Sequence, residues 1–371
     1  MQFSYIQGQE ELKHHLIQEV NGGKISHAQL FVGQAGYGTL PLAQAFVQYL
    51  FCENKSATDS CGECVSCKKV STAQHPDVHY VFPTVQAISK TSNGMMKEWR
   101  QQLAEQPLFD LHDWLQRIDD KERKPIIGTE ESLEIIKKLA LKSYEGGYKV
   151  MFIWMADEMN TICANKILKI LEEPPEKTLF ILIASSTDKL LATILSRAQL
   201  IRVPRLTLDN MQVALQKEGL NNQQAASVAA RAEGDLLAAM KLLGHQEEVD
   251  LNRELFIQLM RVCFKKDVNA MLDWTDAVAG LTKEGQKLFT LYALHMIRQS
   301  VLTNYTQDML ARVSSEEAAF LTKFSRFISN NNMIDFMEIF NDAHYHLERN
   351  AFSKLLFTQV CFQVMRFIHK A

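Results

Sequence analysis

Over the first part of the chain, short continuous apolar runs alternate with stretches whose apolar residues return every three or four positions. Val150–Ala156 and Thr178–Ala184 are the clearest runs. Each is about strand length, well short of the roughly 20 residues that a membrane-crossing helix needs. Gln29–Val32, Asp77–Phe82, Lys149–Trp154, Thr178–Ala184 and Leu200–Val203 read as strands. Glu10–Val20, Pro41–Phe51 and Thr161–Glu173 read as helices. Pro41 falls in a first turn, where its missing N–H is no loss, and Pro174-Pro175 stops the third helix. Thr129 reads as the N-cap of a helix reaching Tyr144, with Glu130 and Glu131 at its positive end. Gly146-Gly147 then turns the chain into the next strand. Apolar strands separated by helices predict a parallel sheet covered on both faces.

After Pro204 the strand signal ends, and Leu206–Leu243 reads as three short helices broken at Gly219 and Gly234. Long amphipathic helices follow, with Leu251, Leu255, Phe256, Leu259, Met260 and Cys263 on one face. Ser314 with Glu317 has the spacing of a capping box. Phe352–His369 is apolar nearly all round and is expected to be buried among neighbours. Thr84–Pro125 interrupts the alternation with two amphipathic segments, one carrying Met95, Trp99 and Leu103, the other Leu111, Trp114, Leu115 and Ile118. It reads as a surface decoration, with partner docking as the competing role.

The length, 371 residues, favours two or three domains. A net charge of −3 excludes a strongly basic nucleic-acid protein, so any DNA contact must come from a local patch or a partner. The N-terminal residues lack the basic-then-apolar layout of a secretion signal, and a cytoplasmic protein without membrane contact is expected. Cysteine usage agrees: Cys52, Cys61, Cys64 and Cys67 are clustered, while Cys163, Cys263 and Cys361 are scattered. Two Cys-x-x-Cys steps and a longer return loop can bring four thiolates to one ion in a closed tetrahedral shell, a structural site. Zinc is the expected metal, and an iron–sulfur cluster could use the same ligands. His75 and His79 are read as lying outside that full shell, and Lys68 and Lys69 as a solvated face.

Gly33-Gln34-Ala35-Gly36-Tyr37-Gly38-Thr39-Leu40 follows a strand and opens a helix, the setting in which glycines make a phosphate loop. Gly33 and Gly38 have the spacing of a working loop, with Gly36 between them. Thr39, however, stands where an ammonium would reach the phosphates, and Leu40 where a hydroxyl would hold Mg²⁺. The carboxylates expected directly after the strand Val150–Ile153 are replaced by Trp154 and Met155, and Asp157-Glu158 come three residues late. A solvated or helix-start role is expected for that acidic pair.

Several motifs occur in one order: His27-Ala28, the cysteine cluster, His75-Pro76-Asp77, Asn165 through Pro175 (NKILKILEEPP), and Thr193 through Ala198 (TILSRA). Together they resemble the delta-prime-type subunits of bacterial DNA polymerase III clamp loaders, members of the AAA+ class. The resemblance spans Ile6–Pro204. It implies an α/β AAA+ core over residues 1–204 with a zinc loop at 52–67 and an insertion at about 84–125. A small helical lid over 205–245 and an all-α collar over 246–371 would follow, the collar joining other clamp-loader subunits. It favours zinc over an iron–sulfur cluster. It implies that Arg197, with Ser196, reaches in trans to the phosphate of a neighbour's ATP, a surface ion pair being the bland alternative for Arg197. A sensing arginine would stand near Leu237 in active loaders, and none does. With the loop of Gly33, Gly36, Gly38 and Thr39 degenerate, ATP is expected to bind weakly or not at all. The sliding clamp and primer–template DNA would be met through the assembled complex. An active loader motor or helicase-loader ATPase is the rival reading.

Overall fold

A computed structural model describes residues 1–121, 123–244, 246–306 and 315–370. These divide into two compact units, Met1–Ala225 with Ala232–Ala239, and Ala226–Arg231 with Met240–Ala371.

The first unit runs α1 (Glu10–Asn21), β1 (Ala28–Val32), α2 (Thr39–Phe51), α3 (Val65–Ser71), β2 (Val78–Val81), α4 (Met96–Glu105), α5 (Leu111–Ile118), α6 (Thr129–Ala140), β3 (Lys149–Trp154), α7 (Thr161–Glu172), β4 (Thr178–Ala184), α8 (Ala192–Leu195) and β5 (Gln199–Arg202). Helices α9 (Leu208–Lys217), α10 (Asn222–Arg231) and α11 (Leu236–Gly244) follow, with short breaks that include Gly219 and Gly234, both at positive φ. The five strands form one all-parallel sheet in the order β2-β3-β4-β1-β5. Side chains alternate across it: Val150, Phe152 and Trp154 of β3 enter one core with α1 and α2, and Met151 and Ile153 enter another with α6, α7 and α8. Both faces are therefore buried, which is why the strands read as unbroken apolar runs.

The excursion between β2 and α6 is not a surface decoration. It opens and closes at one antiparallel bridge, where Thr84 and Ile126 exchange backbone hydrogen bonds at 3.0 Å. Between those ends Trp99, Phe109 and Trp114 are sealed from solvent. Trp99 stacks on Phe82 at 4.4 Å and lies 5.3 Å from Trp154, while Trp114 packs edge-on to both Phe82 and Trp99. The Trp114 indole donates to Pro83 O at 2.8 Å. Arg117 ties α5 to α4 through Gln102 and Glu105. The polar residues that suggested decoration are only the outer face of two helices that roof one side of the sheet.

Two local readings are corrected. Gly128, extended, is the N-cap of α6, and the Thr129 hydroxyl instead accepts from Asn160 Nδ2 at 3.4 Å. The helix ends at Ala140, not Tyr144, because the buried Lys149 ammonium takes the carbonyls of Leu139 and Leu141. The Asp77 carboxylate then accepts from the N–H groups of Tyr144 and Glu145, holding the turn that leads into β3.

The second unit is helical among the described residues: α12 (Gln246–Lys265), α13 (Val268–Ala279), α14 (Lys283–Thr306), α15 (Ser315–Phe324), α16 (Met333–Glu348) and α17 (Ser353–Ile368). Its core gathers Phe256, Trp274, Phe289, Phe340 and Phe357. The α12 stripe begins at Leu255; Leu251, one turn earlier, is 40% exposed. Helix α17 is one-sided: Phe357, Val360 and Val364 are buried, but Leu355 is 70% exposed, because α12, α13 and α16 pack on a single face. Ser314 of the expected capping box lies outside the described residues. Glu317 is buried and accepts from Tyr292 OH at 2.9 Å. Among the described residues, no helix is long and apolar enough to cross a membrane.

Truncating Trp99 to Ala is expected to cost about 3–5 kcal/mol in urea unfolding, as for other large buried aromatics. Trp114→Phe should cost more than Trp99→Phe, since the Trp114 indole N–H has a carbonyl to orphan while that of Trp99 is unpartnered. Equal costs would contradict this assignment of the two indoles.

Candidate functional site

The glycine loop lies at the carboxyl end of β1, between β4 and β5, where open parallel sheets bind ligands. It is folded tightly on itself. Ala35–Tyr37 form a single 3₁₀ turn in which Tyr37 N donates to Gln34 O and Gly38 N to Ala35 O, both at 3.1 Å. Thr39 is buried, and its hydroxyl donates to Gln34 O at 3.0 Å. Gly38, at φ +84°, supplies the left-handed turn that opens α2. Two of the loop's N–H groups, those of Tyr37 and Gly38, are thus bonded to the loop's own carbonyls.

Two close approaches hold the loop from outside. A methyl group on Gly33 would lie 2.7 Å from Val203 O. One on Gly36 would collide with the Asp235 carboxylate and stand 2.8 Å from Leu237 N. Asp235 accepts from Ala238 N at 2.7 Å, capping α11, so the start of that helix sits on the loop and brings a carboxylate with it. Sequence reasoning considered position 237 only for a missing arginine. Asp235 carried a signal that was not used: an Asp directly before an apolar helix, preceded by Gly234 at φ +89°.

At the end of β3, Trp154 is buried between Trp99 and Phe109, at 5.3 and 5.0 Å. The end of β3 is therefore an apolar, indole-filled position. Met155 adopts a left-handed conformation, φ 55°, and the chain enters a short 3₁₀ turn, Ala156–Glu158. Of the solvated or helix-start role expected for the acidic pair, the helix-start place holds, both residues lying in the first turn of that 3₁₀ helix, but Asp157 is not solvated. It is buried, and its Oδ2 accepts from Ser185 Oγ at 2.5 Å and Ser185 N at 3.3 Å, clamping β4 to that turn. Glu158 pairs with Lys189 at 3.2 Å.

Arg197 follows α8 on a turn set by Ser196 N donating to Ala192 O. Its guanidinium is engaged on both edges. Nε and Nη2 donate to Glu172 Oε2 at 3.2 and 3.1 Å, and Nη1 donates to Thr193 O and Ser196 Oγ at 2.9 and 3.3 Å. Glu172, at the end of α7, is 57% exposed.

The four clustered cysteines meet as their spacing requires. Cys52 ends α2, Cys64 caps α3 and Cys67 lies in its first turn. Their four sulfurs lie within 4.8 Å of one another, with Cys52–Cys61 at 3.6 Å and Cys61–Cys67 at 4.0 Å. Tetrahedral Zn–S bonds of about 2.3 Å put sulfurs roughly 3.8 Å apart, so the cage fits such an ion. All seven cysteines are free. The N–H groups of Cys64 and Glu63 pull the Cys61 thiol down to about 6, toward the thiolate a metal needs. Burial pushes Cys52 and Cys67 the other way, and a cation would offset that cost. Gly62, at φ +74°, makes the turn between Cys61 and Cys64. The return loop is tied down by Asp59, which accepts from Phe3 N and Ser4 N at 3.0 Å. His75 and His79 stay outside the cluster: His75 packs on Phe51 at 4.3 Å, and burial lowers His79 to about 4. Lys69 pairs with Glu145 at 2.7 Å.

A family model described as DNA polymerase III, delta subunit, matches residues 8–207. Curated proteins named DNA polymerase III subunit delta-prime match as well. The chain belongs to the delta-prime family of DNA polymerase III subunits. The delta-prime subunit of Haemophilus influenzae is 27% identical over 257 residues, covering 68% of this chain and 65% of that protein. That of Yersinia pestis is 29% identical over 234 residues, covering 62% and 58%. The chain therefore spans a little under two thirds of the length of these relatives. A crystal structure of a gamma-subunit-related protein from Thermotoga maritima is similar at a TM-score of 0.37 and 18% identity, over 93% of this chain and 100% of that one. The parallel α/β core and helical remainder match the expected fold class.

Gly36→Ala is expected to lower stability by about 1–3 kcal/mol, the usual cost of forcing a methyl into packed atoms. Hydrogen exchange should rise at the start of α11. Unchanged exchange there would show that α11 does not rest on the loop.

Proposed function

We propose that this chain is a clamp-loader subunit without a working ATPase, which lends Arg197 to nucleotide held by a neighbouring subunit. The observation that carries the reading is the closed loop: Tyr37 and Gly38 spend their N–H groups on Gln34 and Ala35, and Thr39 spends its hydroxyl on Gln34. An anion entering there would have to break those bonds and approach the Asp235 carboxylate without any ammonium to attract it. Trp154 and Met155 supply no carboxylate for a magnesium ion. Arg197 keeps what phosphate recognition needs, a permanently charged planar fork on a rigid turn after a short helix.

In this reading residues 1–204 are the AAA+ core, 205–245 the lid and 246–371 the collar through which other loader subunits are joined. The sliding clamp and primer–template DNA are reached through the assembled complex, in the cytoplasm. Cys52, Cys61, Cys64 and Cys67 hold a structural Zn²⁺. It supplies charge compensation and cross-linking to a loop with little apolar core of its own, and leaves no open coordination position.

Arg197→Ala in the reconstituted loader is expected to cut DNA-stimulated ATP turnover at least tenfold, toward the 10³-fold or larger effect of losing such an arginine at one site, with assembly unchanged. Normal turnover would remove the trans role. Equilibrium binding to the isolated chain should detect no magnesium-dependent ATP affinity in the micromolar range. Metal analysis should find about one zinc per chain, and chelation should increase proteolysis within residues 52–71; an iron–sulfur absorption spectrum, or a metal-free protein equally resistant to protease, would overturn the zinc assignment.

A further inference from the structure

We infer that Glu172 is a latch for Arg197, holding the guanidinium against its own subunit until phosphate on a neighbour displaces it. The inference rests on the reading of Arg197 as a trans arginine and concerns how that arginine is regulated.

A guanidinium has five N–H bonds. Four are engaged: Nε and one on Nη2 with Glu172 Oε2, and both on Nη1 with Thr193 O and Ser196 Oγ. The Nη1 contacts belong to the arginine's own turn, so they orient the side chain and can persist while it acts. A guanidinium can fork a phosphate with its Nε–Nη2 or its Nη1–Nη2 edge; Nη1 is bonded within the arginine's own turn, and Glu172 occupies the Nε–Nη2 edge. A phosphate that takes the Nε–Nη2 edge must exchange with that carboxylate. A triphosphate, carrying several negative charges against one, is suited to do so.

The placing of Glu172 argues that the pair is built for exchange and not for fold stability. It is the last residue of α7 and is followed by Glu173, so two carboxylates crowd the negative end of a helix, where a cation is favoured and an anion is not. Lys169 in the last turn of α7 and Arg197 are the cations that offset them, and Arg197 is the one bonded to Glu172. The pair is largely exposed, with side-chain accessibilities of 29% for Arg197 and 57% for Glu172, so it holds the guanidinium only weakly. A buried pair would resist release. Without Glu172, the Nη1 contacts alone would hold the arginine and leave its Nε–Nη2 edge open.

The test is Glu172→Gln in the reconstituted loader, with ATP turnover measured in the absence of DNA. Turnover is expected to rise about two- to five-fold, the size of effect an exposed ion pair can exert. The rise should shrink as salt increases, because salt already screens the wild-type pair, and it should vanish when Arg197→Ala is added. Turnover at or below wild type in Glu172→Gln, with Arg197→Ala alone still causing collapse, would sink the latch and leave the trans arginine standing. A rise that survives Arg197→Ala would also sink it. Normal turnover in Arg197→Ala would remove both.

Discussion

The N–H groups of a strand-to-helix glycine loop have two competing partners, an incoming anion or the loop's own carbonyls, and they cannot serve both. Here the carbonyls win at Tyr37 and Gly38, and the threonine hydroxyl closes the loop further onto Gln34. Neighbouring positions are built into the same packing. Position 40 can be a buried leucine, and a carboxylate can rest on Gly36. The start of α11 then gains a fixed seat on the loop, with the Asp235 carboxylate against Gly36.

The same logic runs along β3. A carboxylate at the end of that strand needs water or a metal; an indole there needs cover. Trp99 and Phe109 provide it, both from the excursion between the Thr84 and Ile126 bridge ends, and Phe82 and Trp114 back Trp99. The excursion and the apolar strand end are thus one packing solution. Asp157, displaced past the strand, is used mechanically, clamping Ser185.

Much of this was legible in the residues. The strands Lys149–Trp154 and Thr178–Ala184 stand at the residues read from their apolar runs, because both faces of the sheet are covered and nothing blurs the pattern. The cysteine spacing led directly to the cage. What stayed hidden depended on contacts distant in sequence. No local signal says that Trp99 will meet Trp154, so a helix with one polar face looked like a surface feature. Lys149, read as a strand residue, also ends α6 by reaching carbonyls that a linear pattern does not place beside it. Glu172 belonged to a motif, but its partnership with Arg197 spans 25 positions. Leu355 was judged buried from composition alone, whereas exposure depends on how many neighbours a helix has.

The order of the aromatic cluster along the polypeptide has a consequence for biosynthesis. Phe82, Trp99, Phe109 and Trp114 all precede Trp154, so during translation the roof leaves the ribosome before the side chain it must shelter. The excursion meets itself at a single bridge, so it adds no threading to the pairing of β2 with β3. Because β2 pairs only with β3, the roof and its strand gain their place on the sheet together, when Lys149–Trp154 arrives.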